Sequence, residues 1–198
     1  MRAITGTCTG NITASKATAQ EATFKYAWFW DHPPIMKLKD SVAMRWLAYD
    51  KNGYEVDVTK TSEKCSISYY WNNRVQFTRS GTQEPDLDFN SLNIQFDEAE
   101  NFQSSTTMTE EAYAGNGYVR VSVKVEPEVH NSISYLKVAA LYGHTTVGVG
   151  SPSIGLSPAG TISISFSGTI NSVIDSIAGD KVKITKTEDP NSPNVSDI

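Results

Sequence analysis

Cysteine and histidine are scarce in this sequence of 198 residues, and long apolar runs are missing. No segment approaches the roughly 18 consecutive apolar residues of a membrane-spanning helix, so we predict no membrane span. The first ten residues, MRAITGTCTG, lack the apolar stretch of a signal peptide. We therefore expect either that a leader has been removed from the natural protein or that the protein works without export.

Two further absences argue against particular partners and folds. Seventeen lysines and arginines stand against 22 acidic residues, which gives a formal net charge of -5, and no basic run occurs. Nucleic-acid binding requires a stripe of cations that faces the phosphates, so we expect no nucleic-acid partner. No apolar pattern of helical period is long enough for a βαβ unit, which argues against an α/β fold.

The clearest alternation of apolar and polar residues runs from residue 21 to residue 50. One phase of its first arm contains Ala22, Phe24, Tyr26, Trp28 and Trp30, and one phase of its second arm contains Val42, Met44, Trp46 and Ala48. Lys25 and Arg45 fall in the opposite phases. Three of the four tryptophans lie here, and such side chains dominate the energetics of a core. The pattern predicts a central hairpin of two long strands.

Short alternating segments separated by turn signals follow along the chain. Asp50-Lys51-Asn52-Gly53 is a strong turn signal, and Tyr118 to Glu126 is the most regular strand pattern. We expect residues 97–116 to form a long surface loop or one short helix. About ten short strands predict an all-β fold: a single antiparallel β-sandwich, Ig-like or jelly-roll, over residues 1–188 with a flexible tail at 189–198.

The two cysteines, Cys8 and Cys65, both fall in apparent inward phases. A disulfide between them across the sandwich is feasible, and two buried free thiols would produce the same pattern. The sequence leaves both alternatives open.

Candidate metal ligands are few. His32, His130 and His144 lie far apart, and none has a second ligand at zinc spacing. The acidic stretch that contains Asp86, Asp88 and Asn90, with Asp97, is a candidate for a nonstandard calcium site, the alternative being a solvated acidic loop. Neither a cofactor nor a catalytic constellation is predicted.

Phe29, Leu47, Tyr49 and Tyr70 occupy phases opposite the proposed core face. If exposed, such side chains mark a contact surface. A loop, a neighbouring subunit or a ligand would cover it, and the glycine-rich run at residues 144–160 is the simplest cover. We expect self-association, or contact with cell-surface or matrix proteins.

Three stretches carry a family resemblance: residues 28–34 (WFWDHPP), residues 39–46 (KDSVAMRW) and residues 141–144 (LYGH). They resemble uncharacterised exported β-rich domains of Gram-positive bacterial surface proteins. The resemblance implies a surface or matrix role and supplies no catalytic residue.

Serine and threonine make up 41 residues, and many alternate with apolar residues, as in exported and virion proteins. We therefore expect a non-enzymatic structural or interaction module, secreted or at a cell surface. One alternative is a structural protein of a virion or phage, such as a capsid, decoration or fibre protein. A second is a glycan-active enzyme or a carbohydrate-binding module.

Overall fold

The computed structural model describes the backbone of residues 8–16, 18–32, 39–83, 90–126, 132–145, 152–156, 162–166, 174–177, 181–186 and 193–197. All regular structure in these ranges is β-strand, which confirms the predicted all-β class. Within the same ranges, no helix could cross a membrane. The strands are β1 (Cys8–Lys16), β2 (Glu21–Trp30), β3 (Lys39–Tyr49), β4 (Glu55–Val56), β5 (Val58–Trp71), β6 (Arg74–Arg79), β7 (Thr82–Gln83), β8 (Ser91–Asp97), β9 (Ala99–Gln103), β10 (Thr109–Val125), β11 (Tyr135–Thr145), β12 (Pro152–Leu156), β13 (Ile162–Phe166), β14 (Ile174–Ile177), β15 (Lys181–Lys186) and β16 (Pro193–Asp197).

Most of these strands belong to two antiparallel sheets. Sheet A has the order β1-β2-β10-β5-β6, and β9 also pairs with β10. Sheet B has the order β16-β15-β11-β3-β8-β7, with β14 paired to β11 and β4 paired to β3. The strands β12 and β13 pair with each other in a separate hairpin.

The two sheets pack face to face around an aromatic core. The ring centroids of Phe24 in sheet A and Trp46 in sheet B are 5.3 Å apart. Trp28 stacks on Phe96 at 5.7 Å. All four side chains are almost completely buried. Rings of this size bury large areas and add specific edge and stacking contacts, so they join the sheets into a sandwich.

The predicted central hairpin is wrong. Strand β2 pairs with β1 and β10 in sheet A, whereas β3 pairs with β11, β8 and β4 in sheet B. Alternation shows which face of a strand is buried, and it does not show the strand's neighbour. Both arms carry a bulky apolar face, and the contact between Phe24 and Trp46 shows that these faces meet across the core.

Three further predictions concern single segments. The alternation of Tyr118 to Glu126 is confirmed, since its valines are buried within β10. The predicted turn is present, with the Gly53 N–H donating to the Asp50 carbonyl at 3.1 Å and Gly53 at a φ of 83°. Residues 97–116 form neither a long loop nor a helix, because they contain β9 and the start of β10, which pair with each other.

The sequence predicts the C-terminal segment, residues 189–198, as a flexible tail. Residues 193–197 form β16, which pairs with β15 along its whole length. Backbone pairing of this kind satisfies peptide groups whatever the polarity of the side chains. A polar sequence such as PNVSD can therefore still form an edge strand.

Part of the outer face of sheet B is covered by the chain itself. Ala43 on β3 and Ala139 and Leu141 on β11 lie in the outward phase and are nevertheless buried. Strand β12, which belongs to neither main sheet, contacts β3. It lies within the glycine-rich run of residues 144–160.

Candidate interaction surface

Three cationic side chains lie in one row across the outer face of sheet A. Arg120 on β10 is directly opposite Lys25 on β2 and directly opposite Lys64 on β5. The inward-phase neighbours of Lys25 and Arg120 are buried, whereas Arg120 and Lys64 are exposed and Lys25 is half-exposed. Opposite residues have Cβ atoms about 5 Å apart. We call these three residues the cation row.

The cation row has no counter-charge within the described residues. Neither an ion pair nor a hydrogen bond joins Lys25, Lys64 or Arg120 to another described side chain. Further along the same face, Glu21 is already paired with Lys124, with an Nζ–Oε1 distance of 3.3 Å. Like charges directly opposite each other are destabilising, so the row opposes folding slightly.

Neutral polar groups flank the cation row on both sides. The next row along the strands contains Thr23, Ser122 and Ser62. The hydroxyls of Thr23 and Ser122 are hydrogen-bonded to each other at 2.8 Å. The row on the other side contains Ser66 and Tyr118. These hydroxyls can donate and accept hydrogen bonds without adding charge.

Aromatic side chains lie at one end of the polar area on the outer face of sheet A. Phe29 is 52% exposed, and its strand neighbour Asn116 donates a hydrogen bond from Nδ2 to the Tyr70 hydroxyl at 2.7 Å. Gly115, at a register shift of β10, leaves space for the Tyr70 ring, because a Cβ atom there would lie 2.7 Å from Tyr70 Cδ2. We call Phe29, Tyr70 and Tyr118 the aromatic border.

The four predicted contact residues do not form one surface. Phe29 and Tyr70 lie on the outer face of sheet A, whereas Leu47 and Tyr49 lie on the outer face of sheet B. Tyr49 is also engaged within the chain, since its ring stacks on that of Tyr135 with centroids 4.8 Å apart. The prediction of a shared surface fails because it depended on the hairpin.

No protein-family model matches this chain, and no curated protein matches it significantly. The candidate surface therefore rests on its geometry and charge. Sequence reasoning missed the cation row, although Lys25 and Arg120 fall in outward phases of predicted strands. The missing information is the register, which aligns three strands that are far apart in the chain.

The disulfide prediction is corrected. Cys8 and Cys65 are both free thiols, and both belong to sheet A. Strands β1 and β5 are separated by β2 and β10, and three strand spacings amount to about 14 Å. A disulfide requires Cα atoms within about 7 Å, so these cysteines cannot pair without rearranging the sheet.

Burial controls the chemistry of both thiols. It raises the pKa of Cys8 to about 12, with a further contribution from the charge of Asp40. Burial also raises the pKa of Cys65 to about 12, helped by Glu63. Because the thiolate is the reactive form, both cysteines are expected to react slowly at neutral pH.

The predicted calcium ligands do not come together in the described part of the chain. Asp86 and Asp88 lie outside the described residues. Asn90 immediately precedes β8 and Asp97 ends it, so the extended strand holds them about 24 Å apart. That separation excludes a single ion bound by both residues. Among the described residues, no group of three acidic, histidine or cysteine side chains could hold a metal.

The histidines show no cluster where they are described. His32 is exposed, with its Nδ1 atom 3.5 Å from the Asp31 carboxylate. His144 contributes to the backbone pairing of β11, and His130 lies outside the described residues.

One polar cluster lies in the core instead of on a surface. The Trp30 indole N–H donates to the Tyr142 hydroxyl at 3.2 Å, and that hydroxyl donates to the carboxylate of Asp40, which is 1% exposed. Burial, followed by the charge of Asp40, raises the pKa of Tyr142 well above its ordinary value. Because it links β2, β3 and β11, the cluster connects the two sheets.

Proposed function

We propose that this protein is a non-enzymatic interaction module that binds its partner through the outer face of sheet A, at a cell surface or in an extracellular matrix. The observation that carries the proposal is the cation row. Three like charges without counter-ions weaken the fold slightly, and an anionic partner would neutralise them.

The position of the row suits binding. Its three residues lie on the adjacent strands β2, β10 and β5, whose pairing is unbroken from Asn116 to Ser122 of β10. A rigid backbone loses little conformational entropy when a ligand binds. The exposed side chain of Phe29 lies on the same face, four residues along β2 from Lys25, and adds apolar contact area about 13 Å from that charge.

Retention on surface material from the producing cells tests this proposal. We expect the wild-type protein to be retained and the variants Arg120→Gln and Phe29→Ser to be retained less. Lys51→Gln removes one positive charge from an exposed turn and should behave as the wild type. Equal retention of all four proteins would show that this face does not bind.

A second candidate is self-association, which the exposure of Phe29 (52%) and Val75 (49%) on sheet A favours. Both the surface-module and the virion interpretations of the sequence include assembly into arrays. Light scattering over a concentration series tests it, with Phe29→Ser and Leu47→Ser probing the two outer faces separately. A wild-type protein that remains monomeric would exclude assembly, and unchanged oligomers in both variants would place the interface elsewhere.

A self-contact centred on the cation row is disfavoured. A two-fold interface brings the same patch of both subunits together. At its centre, Arg120 and its two lysine neighbours would face an identical set of cations. Like-charge contacts across an interface are costly, so this part of the face suits an anionic partner better than a second copy.

A further inference from the structure

We infer, on the basis of the proposed function of this face, that its ligand is a linear acidic polysaccharide. Carboxylate or sulfate groups would bind the cation row, and a sugar ring would lie on the aromatic border. The inference rests on how charge, hydroxyl groups and the exposed side chain of Phe29 are combined on the outer face of sheet A.

The cation row provides a site for oxyanions. Adjacent strands are about 4.8 Å apart, so the Cα atoms of Lys25 and Lys64 are separated by about 10 Å with Arg120 between them. A guanidinium group can hold a carboxylate or sulfate through two parallel hydrogen bonds. The flanking ammonium groups are flexible point charges that can follow further anionic groups along a polymer.

The surroundings of the row suit sugar rings. Hydroxyl groups of Thr23, Ser122 and Ser66 lie in the flanking rows, where they can exchange hydrogen bonds with sugar hydroxyls. The ring of Phe29 is more than half exposed. An aromatic face of this kind packs well against the apolar C–H side of a sugar.

Other polyanions fit less well. A protein that makes about 6–10 phosphate contacts with double-stranded DNA needs many cations, whereas the cation row has three, on a chain of net charge -5. An acidic peptide that added a strand would need a free sheet edge. The row is centred on β10, which already has a partner strand on each side, so strand addition cannot occur there.

Titration with defined probes tests the inference. The probes are heparin oligosaccharides (sulfated), oligogalacturonate (carboxylated), dextran (neutral) and single-stranded oligothymidylate. The row variant is Lys64→Gln with Arg120→Gln. Its matched control is Lys51→Gln with Arg74→Gln, which also removes one lysine and one arginine at exposed positions. Thermal unfolding of both variants shows whether each one is folded.

We expect the wild type to bind at least one acidic oligosaccharide at low salt, and added salt to weaken this binding. The affinity of the row variant should be at least about tenfold lower than that of the wild type, and a tenfold loss corresponds to about 1.4 kcal/mol. The control should bind as the wild type does, and dextran should not bind.

The outcomes separate this inference from the function on which it rests. Binding of oligothymidylate alone, or equal losses in the row variant and the control, would overturn the polysaccharide assignment. If no acidic oligosaccharide binds while retention on cell-surface material still depends on Arg120, the ligand class is wrong and the interaction module stands. If retention is also independent of Arg120, both proposals fail.

Discussion

On the inner face of sheet A, the side chains of β2 and β10 meet those of sheet B, and on the outer face the same two strands meet solvent. Phe24 and Val121 are fully buried inside, whereas Lys25 and Arg120, which adjoin them in the sequence, lie outside. The residues that line the inner face can be identified from the sequence of each strand taken separately. The outer face acquires its character only when pairing aligns residues from separate strands, so composition alone cannot show it.

The largest expected effect comes from one residue type placed on both faces of β2. Phe24→Ala should lower the free energy of unfolding by about 3–5 kcal/mol, because it removes a buried ring and leaves a cavity. Phe29→Ala, five residues further along, should change it by no more than about 0.5 kcal/mol, because Phe29 is 52% exposed. Urea unfolding of the two variants measures the difference.

Similar losses of stability in the two alanine variants would contradict the predicted difference between the inner and the outer face. A large loss at Phe29 would mean that a neighbouring copy or a bound segment covers it in solution. Repeating the measurement at several protein concentrations distinguishes these cases, since only association between copies depends on concentration.

A smaller loss is expected from added volume on the inner face. A Cβ atom at Gly117 would meet the indole ring of Trp28 and would lie 2.8 Å from the Ser66 carbonyl oxygen. Gly117→Ala should therefore cost about 1–3 kcal/mol by overpacking. Ser66→Ala, on the outer face next to it, is the control and should be close to neutral in the same unfolding experiment. Equal stability of Gly117→Ala and the wild type would show that the core there has room.

Much of the inner face could be predicted from the sequence. The alternation of Phe24, Tyr26 and Trp28 identifies the buried phase of β2, and the valines of β10 do the same. Period-two patterns report burial because successive side chains point to opposite faces of a strand. The all-β class follows from these patterns.

Neighbour relations could not be predicted in the same way. The buried phases of Cys8 and Cys65 agree with a disulfide, yet two strands separate them within one sheet. Leu47 and Phe29 share a phase pattern but lie on opposite outer faces of the sandwich. Pairing depends on contacts between distant parts of the chain, and neither local propensity nor periodicity encodes them.

The buried thiols on the inner face should make the protein less stable at alkaline pH. An ordinary thiol ionises near pH 9, whereas Cys8 and Cys65 have a pKa of about 12 in the folded protein. Between these values the unfolded chain binds fewer protons than the folded chain, so the free energy of unfolding falls as pH rises. The raised pKa of the Tyr142 hydroxyl acts in the same direction.

Urea midpoints from neutral pH to just below pH 12 measure this loss. The decline with pH should be shallower in Cys65→Ser, because a hydroxyl does not titrate in the window. A decline that is identical in the variant would assign the effect to other groups, such as the tyrosines. A thiol reagent should label the native protein slowly at neutral pH and faster as the pH rises.

The smallest expected change in the free energy of unfolding comes from a residue on the outer face, and it is an increase. Arg120→Gln should raise the free energy of unfolding at low salt by about 0.2–1 kcal/mol, because it removes repulsion from Lys25 and Lys64. Lys124→Gln, four residues further along β10, is the control, since Lys124 is paired with Glu21 and its loss should be neutral or slightly destabilising. Added salt should stabilise the wild type by screening the row and should have less effect on Arg120→Gln.

If that variant is instead less stable than the wild type, then Arg120 contributes to the fold and the cation row gives no evidence for a ligand. If it is more stable and binds acidic oligosaccharides less well, then stability and binding at this position oppose each other, as expected for a residue retained for binding.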